Sequence, residues 1–243
     1  MESTRDLTDT QQQQLLLCLT TEHSALQSAR STTVSETNGR ISLFLGSVSS
    51  TLIALGFLGQ GATQTTAFFL FGAVLFPALF FVGLATFIRV LQATREDLLY
   101  ARGINRIRHF YTELAPQLQT YLILSAHDDI TGVFRNMSLT PSRWQFVFTG
   151  AGMVAVINSV IAGVVVGMLI TQVVDLGLPI EVGAGIGMFM VSTIIHYRYL
   201  ESTLRQADQQ LPVRFPSTEE DKRIEMDKYN APNRSSSNKT RAD

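Results

Sequence analysis

Residues 41–88 read ISLFLGSVSSTLIALGFLGQGATQTTAFFLFGAVLFPALFFVGLATFI and contain no Asp, Glu, Lys or Arg. About 20 apolar residues are enough for a helix to cross a bilayer, so this stretch is long enough for two crossings. A second uncharged stretch, residues 145–174, is also longer than one crossing requires. These two stretches decide the fold class, because they predict an integral membrane protein built from helices.

Polar and glycine residues divide the uncharged regions into four spans. The segment GQGATQTT (59–66) is typical of a tight connection and separates spans at about 41–58 and 66–91. The segment DLGLP (175–179) separates spans at about 145–172 and 180–199 in the same way. The expected fold is an all-α membrane protein with four transmembrane helices in two hairpins and with cytoplasmic helical extensions.

The positive charges predict the direction of these spans. All 19 Lys and Arg residues lie before span one, from the end of span two to the start of span three, or from the end of span four onwards. The two short connections contain none. Because Lys and Arg are retained on the cytoplasmic side, both termini and the central segment are predicted to lie in the cytoplasm. The spans are predicted to cross the cell inner (plasma) membrane. The chain then divides into five segments: an N-terminal cytoplasmic helix (1–40), a first transmembrane hairpin (41–91), a cytoplasmic helical segment (92–144), a second transmembrane hairpin (145–200), and a cytoplasmic helix end with a disordered tail (201–243).

The second span is predicted to continue into the cytoplasm as an amphipathic helix. Its apolar residues recur at helical spacing: Leu91, Leu98, Ala101, Ile104, Ile107, Tyr111 and Leu114. The helix should end near Ala115, because Pro116 disfavours its continuation. Residues 10–38, before the first span, are also compatible with a helix. We expect the two helices to cover each other's apolar faces in a stalk, as in a coiled coil.

Four arginines occupy much of the remaining surface of the predicted helix: Arg95, Arg102, Arg106 and Arg108. A basic face of this kind indicates contact with a cytoplasmic protein partner. Arginines next to a membrane are explained equally well by contact with anionic lipid headgroups. Both interpretations stay open at the level of sequence.

The segment LSAHDDITG (124–132) contains the residue types of a polar site, His127, Asp128 and Asp129. Histidine and carboxylates are common metal ligands and acid–base groups. However, consecutive residues on a helix do not face one another, and a catalytic metal usually takes about three protein ligands. We therefore favour a capping box of Ser125 and Asp128 that opens a short helix before Gly132.

Other motifs of enzymes and cofactor-binding proteins are not recognisable in the sequence. His109 and Glu113 share a helix face at i, i+4, which favours a surface ion pair over a metal site. There is no nucleophile elbow, phosphate-binding glycine loop or zinc-ligand spacing. We therefore expect a non-enzymatic protein with no catalytic residues, no metal, no cofactor and no nucleic-acid partner.

Two features inside the predicted spans carry information. Asn158 is strongly polar near the middle of the third span, and it either joins helices through a hydrogen bond or lines a polar path. The first use is the more common and is favoured. Small residues also recur at the spacing that lets helices approach closely, and this favours packing of span three on span four or homo-oligomer formation: Gly163 with Gly167, and Gly183 with Gly187.

The stretches TEHSALQSARSTTVSETNGRISLFLG (21–46) and INRIRHFYTELAP (104–116), with LSAHDD (124–129), resemble uncharacterised bacterial multi-pass integral membrane proteins. The resemblance covers most of the chain except the tail, and it implies membrane location but no activity. In outline the arrangement also resembles membrane effectors of bacterial defence systems. The expected function is a membrane scaffold or sensor that acts in the lipid bilayer through its cytoplasmic helices. An oligomeric pore or channel is the alternative.

Overall fold

The computed structural model describes residues 8–60, 65–137, 149–173 and 177–219. Within these ranges all regular secondary structure is helical, and no strand is present. The five α-helices, numbered in chain order, are α1 (Asp9–Gly59), α2 (Thr65–Leu114), α3 (Ile130–Asn136), α4 (Gly150–Val173) and α5 (Leu178–Gln210), and a short 3-10 helix spans Pro116–Thr120.

The two longest helices join segments that the sequence separates by polarity. α1 contains 51 residues, so the polar helix predicted at 10–38 and the first apolar span are one continuous helix. Gly39 at their junction does not break it, because one glycine costs a helix only about 1 kcal/mol. α2 continues through Pro77 and ends at Leu114, ahead of Pro116, which confirms the predicted end.

Four helices, α1, α2, α4 and α5, are long and apolar enough to cross a membrane. This confirms the all-helical fold class with four candidate spans. Large apolar side chains remain exposed along these helices, for example Ile186, Met190 and Ile194 on α5. The predicted boundary at 144/145 and the start of the loop at 175 lie outside the described residues.

The chain forms two compact units, and each is assembled from separate parts of the sequence. Among the described residues, the first consists of 29–60, 65–97, 149–173 and 177–210 and is called the apolar unit. The second consists of 8–28, 98–137 and 211–219 and is called the polar unit.

The apolar unit has a buried hydrophobic core to which all four long helices contribute. Two ion pairs join α1 to α2, and the residue that comes later in α1 pairs with the residue that comes earlier in α2. Arg30 Nε lies 2.6 Å from Asp97 Oδ1, and Arg89 Nη2 lies 3.2 Å from Glu36 Oε1. The core residues are Ile41, Phe44, Leu55, Phe76, Leu79, Phe87, Val90, Leu91, Ala151, Val154, Ala155, Ile161 and Leu200.

α4 packs on α5 at a pair of glycines. A Cβ at Gly163 would lie 2.7 Å from the carbonyl oxygen of Gly185, so the backbones approach as closely as glycine allows. Gly167 lies near the same interface, 3.8 Å from the Glu181 oxygen by the same measure. Gly185 lies two residues from each of the glycines predicted from the sequence to pack, Gly183 and Gly187.

Gly183 and Gly187 do not form this contact. A Cβ added at either residue would meet nothing within 4 Å among the described residues. The spacing of the two glycines was correct for a helix face, but the face that they share is not the one that packs on α4. Spacing alone does not distinguish Gly185 from its neighbours, because α5 contains three glycines at alternate positions.

In the polar unit, the predicted apolar stripe of α2 is buried as far as Ile107, whereas Tyr111 is half-buried and Leu114 at the end of the stripe is exposed. Leu98, Ala101, Ile104 and Ile107 are each less than a tenth exposed. The first part of α1 contacts α2, since a Cβ at Gly103 would lie 3.0 Å from Leu26 Cδ1.

Aromatic rings make a second contact between α1 and α2 in the polar unit. The rings of His23 and Tyr111 stack with their centroids 5.9 Å apart. Burial lowers the pKa of His23, with a further contribution from the charge of Arg108. The neutral imidazole is therefore the form that packs against the tyrosine.

Candidate functional site

Asp128 is the centre of the polar unit. Its side chain is fully buried, and Arg106 Nε donates to its Oδ2 at 2.6 Å. Its Oδ1 accepts hydrogen bonds from the backbone amides of Arg214 at 3.1 Å and Phe215 at 2.8 Å. The Asp128 amide donates in turn to the Phe215 carbonyl at 3.1 Å. The carboxylate therefore joins α2 to a segment more than eighty residues later in the chain.

α2 positions this aspartate through residues one turn apart. Arg102 is fully buried, and its Nε donates to the backbone carbonyl of Asp128 at 2.8 Å. Asn105 donates from Nδ2 to the His127 carbonyl at 2.7 Å. Arg106 contacts the Pro212 carbonyl as well as the carboxylate. Both carbonyls of the HD dipeptide are thus held by side chains from a single helix face.

The prediction of an arginine surface was wrong for two of its four members. Arg102 is buried and Arg106 is mostly covered, with a side chain 22% exposed. Their guanidinium groups are used inside the polar unit, because a buried carboxylate and loop carbonyls need donors. Arg95 and Arg108 are half-buried, and Arg108 donates to Asn105 Oδ1 at 3.4 Å.

The surroundings of Asp128 favour its charged form. Burial would raise the pKa of this carboxyl, but hydrogen bonds from Arg106, Phe215 and Arg214, together with the Arg106 charge, hold the pKa below its ordinary value. A carboxylate that accepts several hydrogen bonds in a buried site is strongly stabilised as the anion. Asp128 is therefore ionised at neutral pH.

Asp129, and not Ser125, caps the short helix. α3 begins at Ile130, and Asp129 Oδ1 accepts from the amide of Gly132 at 2.9 Å. The predicted short helix is present, but it extends through Gly132 to Asn136 instead of ending before it. Ser125 Oγ accepts from the His127 amide at 3.1 Å. The capping box was wrong because Asp128 is recruited by Arg106 and is not part of the helix.

Asp129 also binds the distant C-terminal segment. Ser217 Oγ donates to Asp129 Oδ1 at 2.7 Å, and the Ser217 amide donates to Oδ2 at 3.1 Å. The start of the tail predicted to be disordered is therefore ordered by contacts, at least from Pro212 to Ser217. The rest of that prediction, beyond residue 219, lies outside the described residues.

Two histidines flank the aspartates. The His109 ring stacks on the Phe215 ring, with the two centroids 3.8 Å apart. The centroid of the His127 ring lies 6.5 Å from that of the His109 ring. His109 Nε2 is 3.6 Å from Glu113 Oε1, so the two side chains are in contact as the spacing predicts, and they form an ion pair only when His109 is protonated. Partial burial lowers the pKa of His109, opposed by the charge of Glu113.

Histidine and carboxylate are close together here, but their geometry is not that of a metal centre. Within the described residues, no group of three or more His, Cys, Asp or Glu side chains could hold a metal ion. The Asp128 oxygens already accept bonds from one guanidinium and two amides. What the arrangement does chemically is to hold a non-helical piece of polypeptide, bent at Arg214 and Phe215, by its backbone and by one aromatic ring.

The sequence contains only a weak signal for this role of residues 212–217. The segment PVRFPS has prolines at both sides of Phe215, which favours an extended backbone and disfavours a helix. A large aromatic residue inside a polar tail is unusual for a disordered segment. Its partner could not be identified, because the contact spans so many residues.

A second candidate site lies in the apolar unit at Asn158. Its side chain is fully buried, and neither amide atom has a hydrogen-bond partner among the described residues. A Cβ at Gly83 on α2 would collide with the Asn158 side chain and would lie 2.9 Å from Phe44. The predicted interhelical hydrogen bond is thus not present within the described part of the chain.

Next to Asn158, a short chain of polar groups joins α4 to α5. Ser159 Oγ donates to Ser192 Oγ at 3.0 Å, and His196 Nδ1 lies 2.8 Å from the Ser192 carbonyl oxygen. His196 packs edge-on against Phe87 with centroids 4.7 Å apart. Ser159, and not Asn158, therefore provides the polar link between these two helices.

Comparison of the chain with protein-family models, with curated proteins and with solved structures found no match.

Proposed function

We propose that this chain is a multi-pass membrane protein whose helices α1, α2, α4 and α5 cross the plasma membrane as two hairpins. The length and apolar character of these helices support the proposal, as do the large apolar side chains on their outer faces. The opposite order of the ion pairs between α1 and α2 supports the first hairpin. The close approach of Gly163 and Gly185 supports the second.

In this proposal the polar unit lies in the cytoplasm and acts as a non-enzymatic binding module, in a scaffold or a sensor. The observation that carries this role is the use of the Asp128 carboxylate. It is fully buried and holds two successive backbone amides of another segment. The residues best suited to chemistry thus recognise polypeptide backbone and do not face an open cleft.

A pore or channel is the second candidate, favoured by one observation. Asn158 is a buried amide with both polar atoms unpartnered among the described residues. Such a group is costly in an apolar surrounding, and a polar path would supply it with partners.

Membrane insertion and sidedness are tested by labelling Cys18, the only cysteine of the chain, which is exposed. A membrane-impermeant maleimide should label Cys18 in inside-out vesicles and not in sealed right-side-out vesicles. In the matched variant Cys18→Ser/Gln60→Cys the pattern should reverse, because Gln60 is an exposed residue at the end of α1. Equal labelling from both sides in either variant contradicts the proposed topology.

Dye and ion leakage from reconstituted liposomes separates the scaffold from the pore. The scaffold predicts tight liposomes for the wild type and for Asn158→Leu. The pore predicts leakage that Asn158→Leu abolishes. The matched control is Thr171→Val, an exposed position on the same helix, which should leave leakage as it is in the wild type.

A further inference from the structure

Residues 212–217, which we call the strap, are held by the polar unit in the way that a protein holds a bound peptide. The strap lies outside any helix and makes hydrogen bonds along its length. Arg106 contacts the Pro212 carbonyl, Asp128 accepts the amides of Arg214 and Phe215, and Asp129 accepts both donors of Ser217. Hydrogen bonds to the backbone of a bound peptide contribute affinity in many recognition domains.

Two side chains of the strap supply a sequence-dependent part of the contact. The Phe215 ring lies on the His109 ring, with an angle of 21° between their planes. Ser217 is 6% exposed, and its hydroxyl donates to Asp129. In contrast, the side chains of Arg214 and Pro216 are exposed. The ligand that fits these contacts is a bent segment with an aromatic residue and, two positions later, a serine.

The groups that bind the strap belong to elements that also have contacts independent of it. Arg106 and His109 lie on α2, and Asp129 caps α3 through its bond to Gly132. The segment before α3 is fixed to α2 by Arg102 and by Asn105. A segment attached in this way can open locally at a free-energy cost below that of unfolding the unit.

We propose that Arg106, His109, Asp128 and Asp129 form a peptide-binding groove, and that the strap is its built-in, exchangeable ligand. The inference rests on the proposed role of the polar unit as a binding module, and it gives that role a ligand class. A partner that carries a bent segment with an aromatic residue and a serine two positions later binds in the groove when the strap leaves. The strap then acts as an internal competitor.

The test uses the full-length chain with a strap that can no longer compete, the variant Phe215→Ala/Ser217→Ala. The probe is a fluorescent peptide with the sequence of residues 211–219, LPVRFPSTE. We expect saturable binding to this variant, and binding at least about tenfold weaker to the wild type, because a tethered ligand competes at high effective concentration. A peptide with alanine at the Phe215 and Ser217 positions is the matched control and should not bind.

The groove itself is tested by adding Asp128→Asn to the strap variant. Because the substitution removes the charge that accepts the two amides, we expect peptide binding to be lost. Equal binding to all three proteins, or no binding to the strap variant, overturns the proposal. The labelling of Cys18 in vesicles reports separately on the proposed membrane topology, so either failure is recognised without the other.

A second measurement covers the case in which the strap variant does not fold. In the wild-type chain, trypsin can cleave after the exposed Arg214 only when the strap leaves the groove. An exchangeable strap predicts cleavage while amide protection in α2 and α3 persists. Cleavage that occurs only together with loss of this protection shows that the strap is an integral part of the unit, and it overturns the proposal.

Discussion

The polar and apolar units each contain a completely buried polar side chain that is conspicuous in the sequence, Asp128 and Asn158, and the two differ in their hydrogen bonding. Asp128 is charged and receives donors from Arg106 and from two backbone amides. Asn158 is neutral and has no hydrogen-bond partner among the described residues. A buried polar group with all its partners stabilises one specific arrangement, whereas one without partners lowers stability and indicates a use outside folding.

The difference also separates two kinds of sequence signal. Both residues stood out in the sequence, Asp128 by its neighbours His127 and Asp129, and Asn158 by its apolar surroundings. The residues around Asn158 in the sequence are apolar, so the sequence of α4 alone predicts that Asn158 lies in an apolar environment. The partners of Asp128 lie on α2 and in the strap, so its role depends on long-range contacts.

The largest effect is expected from Asp128→Ala. It leaves Arg106 without its buried partner and the strap amides without an acceptor, and breaking such a pair costs about 3–5 kcal/mol. Hydrogen exchange of amides in the polar unit measures the loss. The matched variant Asp129→Ala removes a helix cap, which costs about 1 kcal/mol, together with two hydrogen bonds from Ser217, and it should still cost less than Asp128→Ala. Equal losses for the two variants contradict the central position of Asp128.

A smaller effect is expected where the side chain of Asn158 contacts α2. Gly83→Ala places a methyl group against Asn158, and overpacking of this kind costs about 1–3 kcal/mol. Gly56→Ala is the control, because a Cβ at Gly56 meets nothing within 4 Å. Thermal unfolding in detergent measures both. The combination of Gly83→Ala with Asn158→Ala should recover part of the loss, because Phe44 also lies 2.9 Å from the added methyl group, and additive losses contradict the contact.

Asn158→Leu tests the unpartnered amide directly. Replacing a buried polar group that has no partner with an apolar group of similar size should raise the free energy of unfolding by about 1 kcal/mol. The same substitution in a residue that joins helices by a hydrogen bond would lower it by a similar amount. Thermal unfolding of the variant beside the wild type decides between these signs. Ser159→Ala, which removes an observed bond to Ser192, should lower stability and is the matched comparison.

The elements of the fold could be predicted from the sequence to the extent that they depend on local patterns. The uncharged stretches and Pro116 are enough to predict four long apolar helices and the end of α2. The buried stripe from Leu98 to Ile107 follows from helical spacing. These features need no knowledge of what packs against them.

The candidate sites could be predicted only in part, because their members meet through contacts that spacing does not contain. The sequence predicts that Arg102 and Arg106 lie on the surface, because it does not show that Asp128 packs beside them. Asp129 and Asp128 are adjacent and chemically identical, and their different contacts with Arg106, α3 and the strap are not visible in the sequence. On α5, the choice of Gly185 over Gly183 depends on the rotation of the helix relative to α4.

The smallest effect, absent at neutral pH, is the acid release of the strap. The pKa of Asp128 in the folded unit lies below its ordinary value of about 3.9, so the charged form stabilises the fold. Its stabilisation is fully present above that ordinary value and is lost as pH falls through the lower pKa of the folded unit. The pKa of His109 is also lowered, so a separate loss begins below about pH 6.5. Protection factors of the Arg214 and Phe215 amides, corrected for intrinsic exchange, should therefore fall in two steps. Asp128→Asn should remove the step at lower pH, and its persistence in that variant means that another group holds the strap.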